Sequence, residues 1–200
     1  FVFADGTAVF QIRQLYKFIH LPEEERPTAF VIETVAGDGL EQVAQSAASA
    51  GIGWVLMNAR ASYVAELRKQ NPQLPISVVT TDQREIGRTQ ALQFKALMPN
   101  GGHVLYIQGP PGMTAAEDRL KGMQEGIAAS AIEATVLKAD WTEAGGEQAV
   151  DSWLRLNRIQ GNAVDDIKID LVGCQNDSLA AGARRALCKH RPGWADLPYT

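Results

Sequence analysis

The chain is short of the residue types that most often carry chemistry, and each shortage removes a class of function. Only three of its 200 residues are histidine and two are cysteine. His20, His103 and His190 stand far apart, and none falls in a metal-ligand spacing, so no metal site is expected. Cys174 ends one expected strand and Cys188 lies near the far end of the next helix. Roughly 11 helical residues at about 1.5 Å each separate them, too far for a disulfide, so two free buried thiols are expected. No base lies near Cys174 in the sequence, which argues against a nucleophile. Positive charge is not in surplus either. Lys and Arg number 19 against 23 Asp and Glu, a net charge of -4, and they are scattered. That balance argues against a nucleic-acid surface, and no nucleic-acid partner is expected. No apolar run approaches the roughly 20 residues that span a bilayer, so the chain is not membrane-inserted by a helix of its own. A G-x-G-x-x-G fingerprint is missing after every candidate strand. Gly109-Pro-Pro-Gly112 is no phosphate loop, because no Gly-Lys-Ser/Thr follows and the prolines remove amide donors. No cofactor is therefore expected. No acid–base pair emerges: Asp82 and Glu85 are explained more simply as helix-capping residues, so the chain does not read as an enzyme.

What the chain does have is 46% apolar residues, enough for a real core, arranged as alternating strands and helices. Phe1 to Ala4, Ala29 to Ile32, Trp54 to Met57, Ile76 to Val79, Val104 to Ile107, Thr135 to Lys138 and Ile169 to Val172 read as strands. Between them come helical patterns: Val9, Ile12, Tyr16 and Ile19; Leu40, Val43, Ala44 and Ala47; Ile86, Gln90, Phe94 and Leu97; Ala116, Leu120, Met123 and Ile127; and Val150, Trp153 and Leu154. Asp38-Gly-Leu-Glu41 and Thr114-Ala-Ala-Glu117 have capping-box spacing. Strands that alternate with helices predict an α/β fold with parallel sheets. The chain opens on Phe1-Val-Phe and stops at Tyr199-Thr200, both strand-like, so a piece of a longer protein is expected.

Ile76-Ser-Val-Val-Thr-Thr-Asp-Gln-Arg-Glu-Ile-Gly87 is the stretch around which this order is organised. A buried strand runs into the polar cluster Thr80-Thr81-Asp82, and a helix follows. It marks a crossover between two lobes, residues 1–82 and 83–200. Two open parallel sheets joined this way leave a cleft at the carboxyl ends of their strands, where such folds bind ligands.

The loops after the strands therefore locate a candidate site. Arg119, in the second turn of a capped helix, carries a planar fork suited to adjacent hydroxyls or a carboxylate. Trp141 offers a flat apolar face to the C–H surface of a sugar ring. Asn176 offers donor and acceptor together, as a hydroxyl does. In the first lobe Asn58 and Arg60 hold the corresponding place. Each residue also has a plainer role open to it: Arg119 as a solvated or salt-bridging residue, Trp141 as a core aromatic, Asn176 as a helix cap.

Four stretches in order give the chain a likeness to a known family. They are Thr81-Asp-Gln-Arg-Glu-Ile-Gly87, Ile107-Gln-Gly-Pro-Pro-Gly-Met-Thr-Ala-Ala-Glu-Asp-Arg119, Ala139-Asp-Trp-Thr142 and Gln175-Asn-Asp-Ser-Leu-Ala-Ala-Gly182. With them the chain resembles the type I periplasmic binding proteins of sugar transporters, the ribose-binding-protein group. The resemblance implies two Rossmann-like lobes joined by a hinge, closing on a small sugar or polyol. It implies that Arg119, Trp141 and Asn176 contact the ligand, and that the protein is a non-enzymatic binding module working as a monomer in the periplasm, delivering to an ABC-transporter permease. The family usually has an Asp-Arg pair where this chain has Asn58-Ala59, with Arg60 one residue on, a departure that removes a carboxylate. The family's first strand and helix would precede Phe1, and further crossovers with another Asp would follow Thr200. A ligand-sensing domain of a lac-repressor-type regulator or of a signalling receptor is the other role this resemblance allows.

Overall fold

The computed structural model describes residues 7–35, 37–161 and 163–200. The strand expected at Phe1 to Ala4 lies outside them. The chain divides into two compact units, one running to Thr81 with Met113–Ala115, the other comprising Asp82–Gly112 and Ala116–Thr200.

In the first unit the elements are α1 (Ala8–Ile19), β1 (Ala29–Glu33), α2 (Glu41–Ser49), β2 (Gly53–Met57), α3 (Val64–Gln70) and β3 (Ile76–Val79). The strands form a parallel sheet in the order β1-β2-β3. Phe30, Ile32, Trp54, Leu56 and Ile76 point to one face and join Leu15, Ile19, Val43, Ala47 and Leu67 in a single core. Thr7 caps α1 by accepting from the Phe10 amide at 3.3 Å. The buried stripe of α1 is Gln11, Leu15 and Ile19; of the expected face Ile19 is buried and Ile12 and Tyr16 pack half-buried against the core, whereas Val9 is exposed. Gln11 is drawn inward because its amide bridges the Glu33 carbonyl (2.9 Å) and the Val35 amide (3.1 Å) at the end of β1. The capping box expected at Asp38 does not form. A 3-10 turn, Gly37–Leu40, precedes α2, and Asp38 Oδ1 accepts from the Ser62 amide at 2.7 Å.

In the second unit the elements are α4 (Gln83–Leu97), β4 (Gly102–Gln108), α5 (Thr114–Ile127), β5 (Ile132–Lys138), α6 (Glu143–Ile159), β6 (Leu171–Cys174) and α7 (Asp177–His190). The order β5-β4-β6 puts β4 at the centre of a parallel sheet. Val104 through Ile107 are fully buried and serve two cores. Leu105 and Ile107 meet Val150, Leu154, Leu179 and Ala183 on one side, and Val104 and Tyr106 meet Ala91, Phe94 and Met123 on the other. Continuous apolar runs of this kind are what a sheet covered on both faces requires. Asp82 caps α4, accepting from the Arg84 (3.1 Å) and Glu85 (3.0 Å) amides. The inward stripe of α4 is Gln83, Gly87, Ala91 and Phe94, and Ile86 and Leu97 face solvent. Gly87 decides this: a Cβ there would run into the Arg119 carbonyl and Met123 amide, so the glycine face is the one α5 can approach. β6 starts two residues later than expected and extends to Cys174, in register with Ile107. Beyond α7, Thr200 pairs with β6: its amide donates to the Val172 carbonyl at 3.0 Å. Cys174 is buried but Cys188 only half-buried, and both thiols are free.

Candidate ligand-binding site

The carboxyl ends of β4, β5 and β6 leave the second sheet together, since Gln108 pairs with Lys138 and Ile107 with Cys174. Arg119, Trp141 and Asn176 follow these ends, and the structure brings the three side chains into one constellation.

Arg119 is half-buried on α5. Its Nε donates to Gln83 Oε1 at 2.7 Å and its Nη1 to the Gln175 carbonyl at 2.5 Å. Its guanidinium carbon lies 6.0 Å from the Trp141 ring centroid, within cation–π reach. No carboxylate pairs with it among the described residues, so the salt-bridge role is not the one it plays. Burial lowers its pKa, but a guanidinium stays charged in any protein setting. Nη2 makes no hydrogen bond among the described residues and remains available.

Trp141 is partly buried against the second unit's core. It fits because residue 109 is glycine: a Cβ there would overlap the indole ring. Thr142 then starts α6, accepting from the Gly145 amide at 3.0 Å. Asn176 is a helix cap, its Oδ1 accepting from the Leu179 amide at 2.8 Å, while Nδ2 donates to the Trp141 carbonyl at 3.4 Å. An amide has one further N–H and one further lone pair, so capping does not exhaust it.

Under these three lies a layer of buried amides that sequence reasoning missed. Gln175 Oε1 accepts from the Gly109 amide at 3.0 Å, and its Nε2 donates to the Tyr106 hydroxyl (3.2 Å) and the Ala116 carbonyl (2.9 Å). One side chain thus ties β4, its following loop and the start of α5 together. The Tyr106 hydroxyl donates to Gln90 Oε1 at 3.1 Å, and Gln90 Nε2 reaches the Cys174 carbonyl at 2.9 Å. Burial pushes the Tyr106 phenol and the Cys174 thiol each up to about 12, so both stay neutral. The floor of the site is uncharged, and Arg119 supplies its charge. The available signal was glutamine recurring where strands end or helices begin, at positions 83, 108 and 175. The capping box expected at Thr114 is also modified, because Glu117 Oε1 accepts from the Gly112 amide at 3.0 Å.

In the first unit Asn58 and Arg60 follow β2 and are exposed. Asn58 adopts φ 56°, a left-handed backbone that asparagine tolerates better than most residues. Its Nδ2 donates to Glu33 Oε1 at 3.4 Å. Glu33 therefore puts a carboxylate beside the position where an Asp was missed. It escaped notice because the strand was expected to end at Ile32.

A hollow of about 680 Å³ in the second unit lies elsewhere, along β5 and α6 from Pro111 to Leu156. It borders Asp140 but not Arg119 or Asn176. Among the described residues no group of His, Cys, Asp and Glu could hold a metal ion, and no helix is long and apolar enough to cross a membrane.

A family model described as periplasmic binding protein domain matches residues 2–195. No curated protein sequence matches the chain. Among solved structures, a galactofuranose binding protein superposes with a TM-score of 0.75 at 24% identity, over 94% of this chain and 60% of that one. A Bacillus halodurans C-125 ABC transporter solute binding protein with bound myo-inositol gives 0.76 at 21% identity, over 98% and 61%. The fructose binding periplasmic domain of a hybrid two-component system gives 0.76 at 21% identity, over 97% and 58%. These likenesses establish the type I periplasmic binding protein fold, and the chain spans about 60% of the length of the structures it matches.

Proposed function

The chain belongs to the periplasmic binding protein domain family, whose members bind ligands rather than transform them, and from that premise we propose that it captures a small sugar or polyol. The observation that carries this reading is the Arg119 fork, held at two points beside the Trp141 ring with Nη2 left over. Hydroxyls of a sugar accept from Nη2 while the ring's C–H face lies on the indole, and Asn176 serves a neighbouring hydroxyl with its spare donor and acceptor. Trp141 supplies apolar contact and Arg119 direction, the division of labour usual in small-molecule sites.

In this proposal the first lobe adds Asn58 and Arg60 in the cleft, and the ligand touches both lobes only when the hinge closes. Binding then draws the open–closed equilibrium toward the closed form, by as much as the ligand prefers it. The closed form is what an ABC-transporter permease on the extracytoplasmic face of the membrane would recognise. Support for this role comes from transporter components such as the myo-inositol-bound protein.

A thermal-shift screen of sugars and polyols against the full-length protein tests the reading. A ligand that raises the melting temperature is expected, and Arg119→Ala is expected to abolish that rise. A rise that persists unchanged in the variant removes Arg119 from the site. The sensor reading is favoured by one neighbour, the fructose binding domain of a two-component system. The full-length sequence separates the roles: a helix-turn-helix upstream indicates a repressor, a fused signalling module a receptor, and a secretion signal on a stand-alone protein a transporter component.

A further inference from the structure

Arg119 is oriented by a residue that belongs to none of the strand-end loops. Gln83 opens α4, yet its side chain is turned inward and is only 5% exposed. Its position follows from helix packing. Gly87 lets the α4 backbone approach Arg119 and Met123 closely, and Gly122 does the same from α5 toward Arg84. Gln83 is one turn before Gly87 on the same face, so the close approach carries its amide to the Arg119 side chain. There Oε1 accepts from Nε at 2.7 Å, while the Gln175 carbonyl accepts from Nη1 at 2.5 Å.

A planar group held at two of its nitrogens cannot swing, and its remaining edge has a set direction. The acceptor at position 83 is also neutral. Other arginines nearby are spent on carboxylates: Arg84 and Arg88 both bond Glu125. A carboxylate on Arg119 would take up the same fork in a charge-assisted pair. An amide oxygen orients the group and leaves its charge for something else.

We propose that Gln83 is a positioning residue, which sets the plane of the Arg119 guanidinium and keeps its charge available to the ligand. The proposal rests on the reading that Arg119 meets the ligand. The competing role is structural: Gln83 fills space between α4 and α5 and nothing more.

The test uses the full-length protein with Gln83→Met, which keeps the length and bulk of the side chain but has no comparable acceptor, and with Gln83→Ala. Calorimetric titrations with D-fructose, myo-inositol, D-allose and L-arabinose supply the binding arm. Both variants are expected to weaken whichever of these binds by about tenfold, the effect of one hydrogen bond to a charged group. In an Arg119→Ala background the same changes are expected to cost less than about twofold, since the coupled partner is gone. Equal losses in both backgrounds, or full affinity in Gln83→Met, overturn the proposal. A ligand-free arm reads the Arg119 Nε–H resonance by nitrogen-15 NMR. It is expected to be protected from exchange in the parent and to lose protection in Gln83→Met, with the backbone amide spectrum otherwise retained. A resonance that stays protected overturns the proposal. If Arg119→Ala leaves every titration unchanged, the site reading fails instead, and the NMR arm still decides the role of Gln83.

Discussion

Among the described residues the two sheets are made from the same pattern, three parallel strands joined through helices, yet they are covered differently. In the first unit, one face holds Phe30, Ile32, Trp54, Leu56 and Ile76 against helices. The opposite face presents Val31 at 69% exposure and Val79 at 53%. The second sheet has a core on both faces, with Leu105 and Ile107 on one and Val104 and Tyr106 on the other. Their rims differ in the same sense. Asn58 and Arg60 stand in solvent, whereas Arg119 rests on a buried layer of glutamines. The lesson is that a strand's sequence announces a sheet, but not how many of its faces are covered.

Substitutions can break this contrast. The largest effect is expected at Leu105→Ala, fully buried in the centre of β4. A loss of about 2–5 kcal/mol is expected by denaturant unfolding, because the site cannot collapse around the void. A loss below about 1 kcal/mol would mean the second core is far looser than its burial implies. Next comes Gly122→Ala, whose Cβ would run into the Arg84 carbonyl. Forcing α4 from α5 is expected to cost about 2 kcal/mol and to weaken ligand binding as Arg119 shifts. Retained affinity with lowered stability would separate helix packing from the site.

A smaller effect is expected in acid. Arg84 first, and Arg88 with it, hold the Glu125 carboxyl down to about 2, from an ordinary value of 4.5. A lowered folded pKa contributes stability above the unfolded value and loses it as pH falls from about 4.5 toward 2. Glu125→Gln is therefore expected to be less stable than the parent near neutral pH and to match it near pH 2, by thermal melts across that window. The gap should be small and should shrink in salt, because these side chains are partly exposed. A gap that widens in acid would show the sign to be wrong. The smallest effect is expected at Val31→Ser, within about 0.5 kcal/mol, as for other exposed positions. A loss above about 1 kcal/mol in the full-length protein would show that this face of the first sheet is covered in solution.

Much of the fold was legible because it is written in local terms. Ile76-Ser-Val-Val79 is a strand of the expected length, and Asp82, Thr142 and Asn176 cap the helices that follow them. The misses have a common cause. Val9 and Ile86 were assigned inward because they are apolar, but Gln11 and Gly87 took the inward positions. Gln11 does so for its hydrogen bonds and Gly87 for its lack of a Cβ. Hydropathy weighs neither quantity. At the site, Arg119, Trp141 and Asn176 could be proposed from strand ends alone, as could Asn58 and Arg60. Gln83, Gln175 and Glu33 could not, since their partners are distant in sequence.

The amino-acid order by itself determined the alternation of strand and helix, the parallel sheets and the rim on which polar residues gather. These follow from apolar spacing and capping within a few residues of chain. Only the tertiary structure decided which carbonyl receives the Arg119 fork, which glycine admits the Trp141 ring and which sheet is covered twice. Those outcomes depend on atoms brought together from distant segments, where a hydrogen bond or the space of one methyl group selects among arrangements that local preference leaves equal.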